Sequence, residues 1–276
     1  MAGRQVGPLV VNRTRVILAV GFLAVTHILF YGTLVPLDAG AARWMWLGLS
    51  GVIGLVIGDG CLYKAFVLIG PRIGMLIMSL APVMAALFAW LFYSETLSWC
   101  QIFGIFMTLS GIAWVVMERH GGAGSRDRNR VYWYGIFLSF CAATCQALGL
   151  ILAKRGLSGE FPAISGNMIR MTIAASALIL FSVVRGEVGE TRKGLGGHRR
   201  AMLQILGGAL FGPLIAITLS LVAIQLAPIG IASTIMQMAP IFLLPIGYLF
   251  FHERFGWGAI AGTVVALIGV AVLFLL

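Results

Sequence analysis

The sequence predicts an all-α membrane protein, a bundle of about nine transmembrane helices built from two inverted-topology repeats. Its composition is the first reason. Of 276 residues, 60% are hydrophobic and 10% are charged, with a mean hydropathy of +1.01, whereas a soluble domain carries about 25% charged residues. Its long apolar runs are the second reason, because backbone groups in lipid must be satisfied within each segment and barrel strands are much shorter. An internal duplication is the third.

Each membrane span needs roughly 20 apolar residues, and segments of that kind follow one another along the chain. The net charge of +10 lies between them, which favours anchoring on the cytoplasmic side rather than a nucleic-acid partner. No large soluble domain fits in the loops. The nine predicted spans are about 16–36, 44–68, 73–93, 99–117, 132–153, 168–184, 201–226, 229–251 and 256–276.

The duplication relates two stretches that lie 158 residues apart. "APVMAALFAWLFYSETLSW" at 81–99 matches "APIFLLPIGYLFFHERFGW" at 239–257, and 14 of 46 positions are identical between 73–118 and 231–276. Chance similarity between apolar segments would match Leu, Val and Ala, but it would seldom also align Pro, Glu, Trp and Gly. We therefore interpret the two stretches as copies of one unit.

The duplication extends toward the N-terminus, where "NRTR" at 12–15 corresponds to "NMIR" at 167–170. The helix predicted at 131–156 then has no counterpart in the first copy, and we expect a truncated start rather than a lost helix. The predicted units are a first repeat at 1–118, a basic loop at 119–130 and a second repeat at 131–276. Since five helices is an odd number, the repeats should run antiparallel across the bilayer, as in many secondary transporters.

The prolines matched by the duplication mark the first candidate site. A proline within a helix leaves the carbonyl four residues earlier without a donor, and a polar side chain follows that carbonyl in each copy. Such breaks would face a central cavity, although a plain packing kink is the alternative. The residues are Met78, Ser79 and Pro82 in the first copy, and Met236, Gln237 and Pro240 in the second.

Asp59 is the only acidic residue well inside a predicted span. A carboxylate in that position is costly and is usually functional, as a proton carrier or as the counter-charge of a cationic substrate. Tyr63 shares its helix face and would hydrogen-bond it or stack on substrate. The second copy has Ile217 in the place of Asp59, so any coupling is asymmetric. The alternative is a structural Asp that bonds neighbouring backbone.

Other polar residues in the spans are weaker candidates. Gln146 would present its amide either to a substrate or to another helix, and His27 is expected either to pack in the bundle or to form an interhelical bond. The four cysteines are interpreted as reduced packing residues, so neither a metal nor another cofactor is expected. The matched glycines of the last helix in each copy are expected to pack those two helices together. They are Gly104, Gly111, Gly262 and Gly269.

The phrases "GDGCLYKAFVLIGPRIGMLIMSLAPVMAALFAWLFYSETLSWCQIFGIFMTLSGIAWVV" and "LVAIQLAPIGIASTIMQMAPIFLLPIGYLFFHERFGWGAIAGTVVALIGVAVLF" resemble the two EamA domains of the drug/metabolite transporter superfamily. The resemblance covers essentially the whole chain and implies a ten-helix bacterial inner-membrane exporter of amino acids or other small metabolites. This chain lacks the first helix of that arrangement. Fifteen of its 19 Lys and Arg lie on the side of the N-terminus, whereas the family arrangement would place the 12–15 loop outside.

The predicted function is secondary transport of small metabolites or drug-like amphipathic compounds by alternating access, with membrane lipid and protons as further partners. A non-transporting helper subunit is the main alternative. One motif favours an intramembrane serine protease, "GLSG" at 48–51. Such a protease needs a histidine base in a later span, but the only His in a predicted span is His27, which precedes the serine. No Gly-rich GK[ST] loop occurs, which excludes ATP-driven pumping by this chain alone.

Overall fold

The structure is a computed structural model that describes residues 7–93, 98–118, 126–186, 199–227, 229–236 and 257–275. Within these ranges the regular structure is helical throughout. An all-helical fold is the expected solution for a chain of this composition, since a helix satisfies its own backbone hydrogen bonds in lipid.

Helices of the first repeat begin and end at residues suited to helix termini. Pro8 starts the first helix, where its missing N–H costs nothing, and Gly32 ends it in the left-handed conformation. Gly70, at φ 85°, separates two antiparallel helices. The elements are α1 (Pro8–Tyr31), a 3₁₀ turn (Leu37–Ala39), α2 (Ala41–Gly51), a π-helical segment π1 (Val52–Gly58), α3 (Asp59–Ile69), α4 (Pro71–Met78), α5 (Ala81–Tyr93) and α6 (Trp99–Glu118).

Among the described residues, the helices of the second repeat follow this order after one additional helix. Helix α8 begins 155 residues after α1, and a second π-helical segment lies 158 residues after π1. Both repeats therefore distort the same turn of the same span. The elements are α7 (Arg126–Gly156), α8 (Ala163–Val184), α9 (Arg199–Ala209), π2 (Leu210–Ala216), α10 (Ile217–Leu226), α11 (Ile229–Met236) and α12 (Trp257–Leu275).

The described residues contain six helical stretches long and apolar enough to cross a membrane, which makes the chain a multi-pass membrane protein. Two shorter apolar helices lie at 99–115 and 260–272. The predicted count of nine is therefore not established. The long stretches are Pro8–Tyr31, Ala41–Ile69, Pro71–Phe88, Asn129–Gly156, Ala163–Val184 and Ala201–Leu226.

Two predicted span boundaries are wrong. The first span was expected at 16–36 and the sixth at 168–184, but their helices begin at Pro8 and Ala163. The error has one physical cause. The predicted spans place the arginines at or just outside their ends, whereas Arg13, Arg15 and Arg170 lie inside these helices and are largely covered by neighbouring ones.

Helices α6 and α12 pack tightly along their glycines, as the sequence predicts. A Cβ atom added to Gly111 would lie 2.4 Å from the amide nitrogen of Ala266, and one added to Gly269 would lie 2.4 Å from that of Thr108. The two contacts are equivalent under the 158-residue offset. Residue numbers rise along one helix as they fall along the other, so these corresponding helices of the two repeats are antiparallel.

Helix α7 covers the second span of the first repeat. The Ser50 hydroxyl donates to the Gly149 carbonyl over 2.6 Å, and a Cβ atom at Gly58 would lie 3.0 Å from that of Cys145. Cys145 thus has the packing role expected of it. In the second repeat, the positions that correspond to Ser50 and Gly58 are Gly208 and Ala216, and both are exposed.

Candidate functional site

Each repeat attaches its first described span to a π-helical segment through one asparagine. The Asn12 side chain donates to the Leu55 carbonyl over 2.9 Å, and the Asn167 side chain donates to the Pro213 carbonyl over 2.8 Å. Both asparagines are fully buried, and the Oδ1 atom of each has no hydrogen-bond partner among the described residues. The two bonds are equivalent under the duplication.

The π-helical segments end at equivalent positions. The amide of Asp59 donates to the Gly54 carbonyl, five residues earlier, and the amide of Ile217 donates to the Gly212 carbonyl. A π-helical turn widens the helix and is frequent at functional sites. Here it places Asp59 and Ile217 at matched positions directly after each distortion.

A mostly buried ion pair follows π1, with 12% of the Arg15 side chain and 18% of the Asp59 side chain exposed. Arg15 of α1 donates from its guanidinium to the carboxylate of Asp59, the first residue of α3. The Arg15 guanidinium carbon lies 5.1 Å from the ring centroid of Tyr63, a cation–π arrangement. Asp59 and Tyr63 are therefore neighbours, as their spacing predicts, and both contact the same cation.

A second arginine occupies the matched place in the other repeat. Arg170 of α8 is 3% exposed, and its charge acts on Asp59 without a salt bridge between the two side chains. Arg15 and Arg170 each lie beside the π-helical segment of the opposite repeat. A Cβ atom at Gly212 would lie 3.7 Å from Nη1 of Arg15, and one at Gly54 would lie 3.6 Å from Nη2 of Arg170.

Glycines create the room for this arrangement. A Cβ atom at Gly51 would lie 2.4 Å from the carbonyl oxygen of Arg170, so any side chain there would push α8 away. The two repeats therefore meet at a polar cluster inside the spans, which we call the arginine cluster. It consists of Arg15, Asp59, Tyr63 and Arg170.

The sequence matches the EamA-like transporter family over residues 1–117 and 133–275, which together make up most of the chain. The chain belongs to the EamA-like transporter family. The chain is also similar to a solved structure titled "Crystal structure of protein", with a TM-score of 0.64 and 15% sequence identity. The match covers 99% of this chain and 91% of the chain in that structure. At that identity the likeness concerns the fold alone. No curated protein matches the sequence.

In this EamA-like transporter, Ser79 and Pro82 lie at a helix break, as predicted. Helix α4 ends at Met78 and α5 begins at Ala81. The Ser79 hydroxyl donates to the Leu76 carbonyl within its own turn. Counting at about 1.5 Å per residue from the Gly70 turn places Pro82 and Asp59 at a similar depth. A role for Ser79 or Pro82 toward substrate stays a prediction.

The remaining predicted site residues do not join the arginine cluster in the described part of the chain. Gln146 is half-buried on α7, and its amide has no hydrogen-bond partner among the described residues. Met236, the last residue of α11, packs against the apolar cluster around Leu150. Gln237 and Pro240 lie outside the described residues. Substrate contacts of all four stay predictions.

Arg15 and Arg170 were missed as site residues because they lie at the ends of predicted spans, Arg15 just before the first and Arg170 at the third residue of the sixth, where an arginine usually extends to the interface. One signal could have found them. The duplication aligns Asn12 with Asn167 and Arg15 with Arg170, so the pattern N-x-x-R occurs twice. Residues three apart lie on one helix face, and chance does not usually preserve a polar face in an otherwise apolar span. A carboxylate such as Asp59 is energetically unfavourable inside an apolar span. Together with it, the matched arginines indicate a charged interface between the two repeats.

His27 and Ser50, the residues behind the protease alternative, have other partners. One ring nitrogen of His27 lies 2.6 Å from the Thr33 carbonyl and the other lies 3.0 Å from the Ser165 hydroxyl of α8. The latter is the interhelical bond expected of it. Ser50 donates to Gly149. Within the described ranges no group of three His, Cys, Asp or Glu could hold a metal ion.

Proposed function

We propose that this chain is a secondary exporter of small metabolites, such as amino acids or drug-like amphipathic compounds, that works by alternating access. One observation carries the proposal beyond family membership. The arginine cluster lies inside apolar spans, and both repeats contribute to it. Ionisable residues inside a membrane usually mark substrate or ion pathways, and antiparallel repeats commonly bind solute between them.

In the proposed cycle, the two repeats rock against each other and expose the arginine cluster to one side of the membrane at a time. The glycine contacts of α6 and α12 form the scaffold that stays together. Helix spans that contain π1 and π2 change direction most easily, because their hydrogen-bond ladders are already interrupted. A solute that enters the cluster binds beside the Arg15–Asp59 pair. Protons that reach Asp59 are the proposed coupling ions.

We propose the inner (plasma) membrane as the site of action. Export is the direction that the family resemblance favours, and the arginine cluster supports a polar solute in either direction. A host cell that lacks close relatives therefore offers the simplest test, because any compound that accumulates outside reports both substrate and direction.

The test compares metabolites outside empty cells with those outside cells that express the parent chain, Asp59→Asn or Asp38→Asn, the three proteins being folded in the membrane in equal amounts. Asp38 is exposed in the 3₁₀ turn and is the matched control. We expect one compound to accumulate with the parent and with Asp38→Asn, and at least about tenfold more slowly with Asp59→Asn. If no compound distinguishes parent cells from empty cells, the exporter function is wrong.

A further inference from the structure

The buried charges of the arginine cluster do not balance. Arg15 and Arg170 both lie within interaction range of Asp59, and Arg15 holds its carboxylate directly. Asp59 is the only acid inside the apolar spans that the structure describes. Two guanidinium groups therefore share one carboxylate, which leaves a net charge of about +1 in a low-dielectric interior. An uncompensated charge in such a place is strongly destabilising.

Arg170 is the cation of the cluster that forms no salt bridge among the described residues. It is 3% exposed, and its Nε has no hydrogen-bond partner among the described residues. The duplication explains how this arose. Arg15 corresponds to Arg170, but Asp59 corresponds to Ile217, which packs in the apolar cluster that includes Met168 and Met171 of α8. The second repeat thus kept the base and lacks the acid that neutralises it in the first.

The residue that faces this arginine has no side chain. Gly54 of π1 faces its Nη2 atom, and no other heavy atom would come within 4 Å of a Cβ atom added there. The guanidinium presents N–H groups in a planar fork that matches a carboxylate in bidentate geometry. Because the spans are apolar, a ligand group that neutralises this cation is bound far more strongly there than in water.

We infer that Arg170 binds the carboxylate of an organic anion, and that this charge is what the cluster lacks when no solute is bound. The inference rests on the proposed transport function and narrows it to solutes that carry a carboxylate. Asp59 then keeps Arg15 neutralised and does not act as the counter-charge of the solute.

The test uses the purified full-length chain in detergent and three series of probes with matched shapes. One series is phenylacetate, its neutral amide and phenethylamine; hexanoate and glutarate, each with its amide, are the others. Ligands that bind only the folded state raise the apparent Tm as they saturate their site. We expect at least one carboxylate to do so while its amide and amine do not. No stabilisation by any carboxylate would overturn the inference, and so would stabilisation by inorganic phosphate alone.

Variants tie the effect to Arg170. Arg170→Gln should weaken the apparent affinity for the carboxylate roughly tenfold or more, and Arg170→Lys should recover part of it, since the charge stays and the fork is lost. Arg155→Gln is the control, because Arg155 is exposed and contacts the Trp46 ring at the end of a span. Equal affinity in Arg170→Gln and Arg155→Gln would overturn the inference.

Ile217→Asp is a second variant that tests the inference even if Arg170→Gln does not fold. It adds the missing acid at the matched position, so we expect the unliganded protein to unfold at a higher Tm and the carboxylate effect to disappear. An undiminished carboxylate effect in this variant would contradict the inference. If the protein binds carboxylates but exports no compound, the transport function is wrong and the anion site stands. If Arg170→Gln exports a compound as fast as the parent does, the anion site is wrong and the transport function stands.

Discussion

Arg15 and Asp59 depend on each other because, in the part of the chain that the structure describes, each is the other's only salt-bridge partner. Breaking a buried pair by removing one member commonly costs about 3–5 kcal/mol, since the other charge is left behind. The two losses are not equivalent here. Without Arg15, Asp59 still lies near Arg170, but without Asp59 two arginines remain without an acid.

We therefore expect Asp59→Asn to lower the free energy of unfolding by about 3–5 kcal/mol and Arg15→Gln to lower it by less. The double variant should cost less than the sum of the two, because the residues interact directly. Unfolding in detergent measures all three, with Asp38→Asn as the control expected to lie within about 0.5 kcal/mol of the parent. Additive costs would mean that the two side chains do not interact.

Among individual residues, the sequence predicted Asp59 and its neighbour Tyr63 as site residues, but it did not predict Arg15 and Arg170. Asp59 stands out because a carboxylate inside an apolar run has few explanations. Arg15 lies near the predicted end of a run, where snorkelling to the interface is an ordinary explanation for an arginine. Only the distance between Arg15 and Asp59, 44 residues apart in the chain, decides between the two explanations, and that distance depends on how α1 packs against α3.

The contact between helices α6 and α12 depends on glycines, which have no side chain to keep the two backbones apart. Backbone atoms of the two helices come closer than a Cβ atom allows at Gly111 and Gly269. Close backbone approach is a main source of helix association in membranes, where lipid offers no hydrophobic driving force.

Gly111→Ala should therefore lower the free energy of unfolding by about 1–3 kcal/mol, because the added methyl group meets backbone rather than a movable side chain. Gly21→Ala is the control. A Cβ atom on Gly21, in the interior of α1, would meet nothing within 4 Å, so we expect a change of less than about 1 kcal/mol. Equal effects of the two substitutions in detergent unfolding would exclude a tight α6–α12 contact.

The order of the helices was more predictable than their ends. Glycine spacing on α6 and α12 indicated the contact correctly, and Pro82 marked the break between α4 and α5. The start of α1 was misplaced because burial of Arg13 by Ser182 of α8 is a long-range effect. Composition within a local window cannot detect a partner 169 residues away.

For the whole molecule, the inverted relation of the repeats has a consequence for exposure to the two sides of the membrane. Cys100, at the start of α6, corresponds to Gly258, at the start of α12. Since these helices are antiparallel, equivalent termini belong on opposite membrane faces. The sequence predicted this from the odd number of helices in a repeat, because the argument needs only a count and not a contact.

A thiol-labelling experiment tests the relation. The background replaces Cys61, Cys141 and Cys145 by Ala and keeps either Cys100 alone or Gly258→Cys with Cys100→Ser. We expect a membrane-impermeant thiol reagent to label one of these variants in intact cells and the other only in inverted vesicles. Labelling of both variants from the same side would refute the antiparallel arrangement.

The matched positions of the two π-helical segments indicate when in evolution the helix distortion arose. A π turn acts as a local insertion in the helical register, and two independent insertions would seldom fall at the same offset with the same asparagine beside them. The distortion and its asparagine thus predate the duplication and belonged to a half-length ancestor whose copies paired in opposite orientations. Asp59 and Ile217 are the later divergence, through which a symmetric pair of repeats acquired one distinct half.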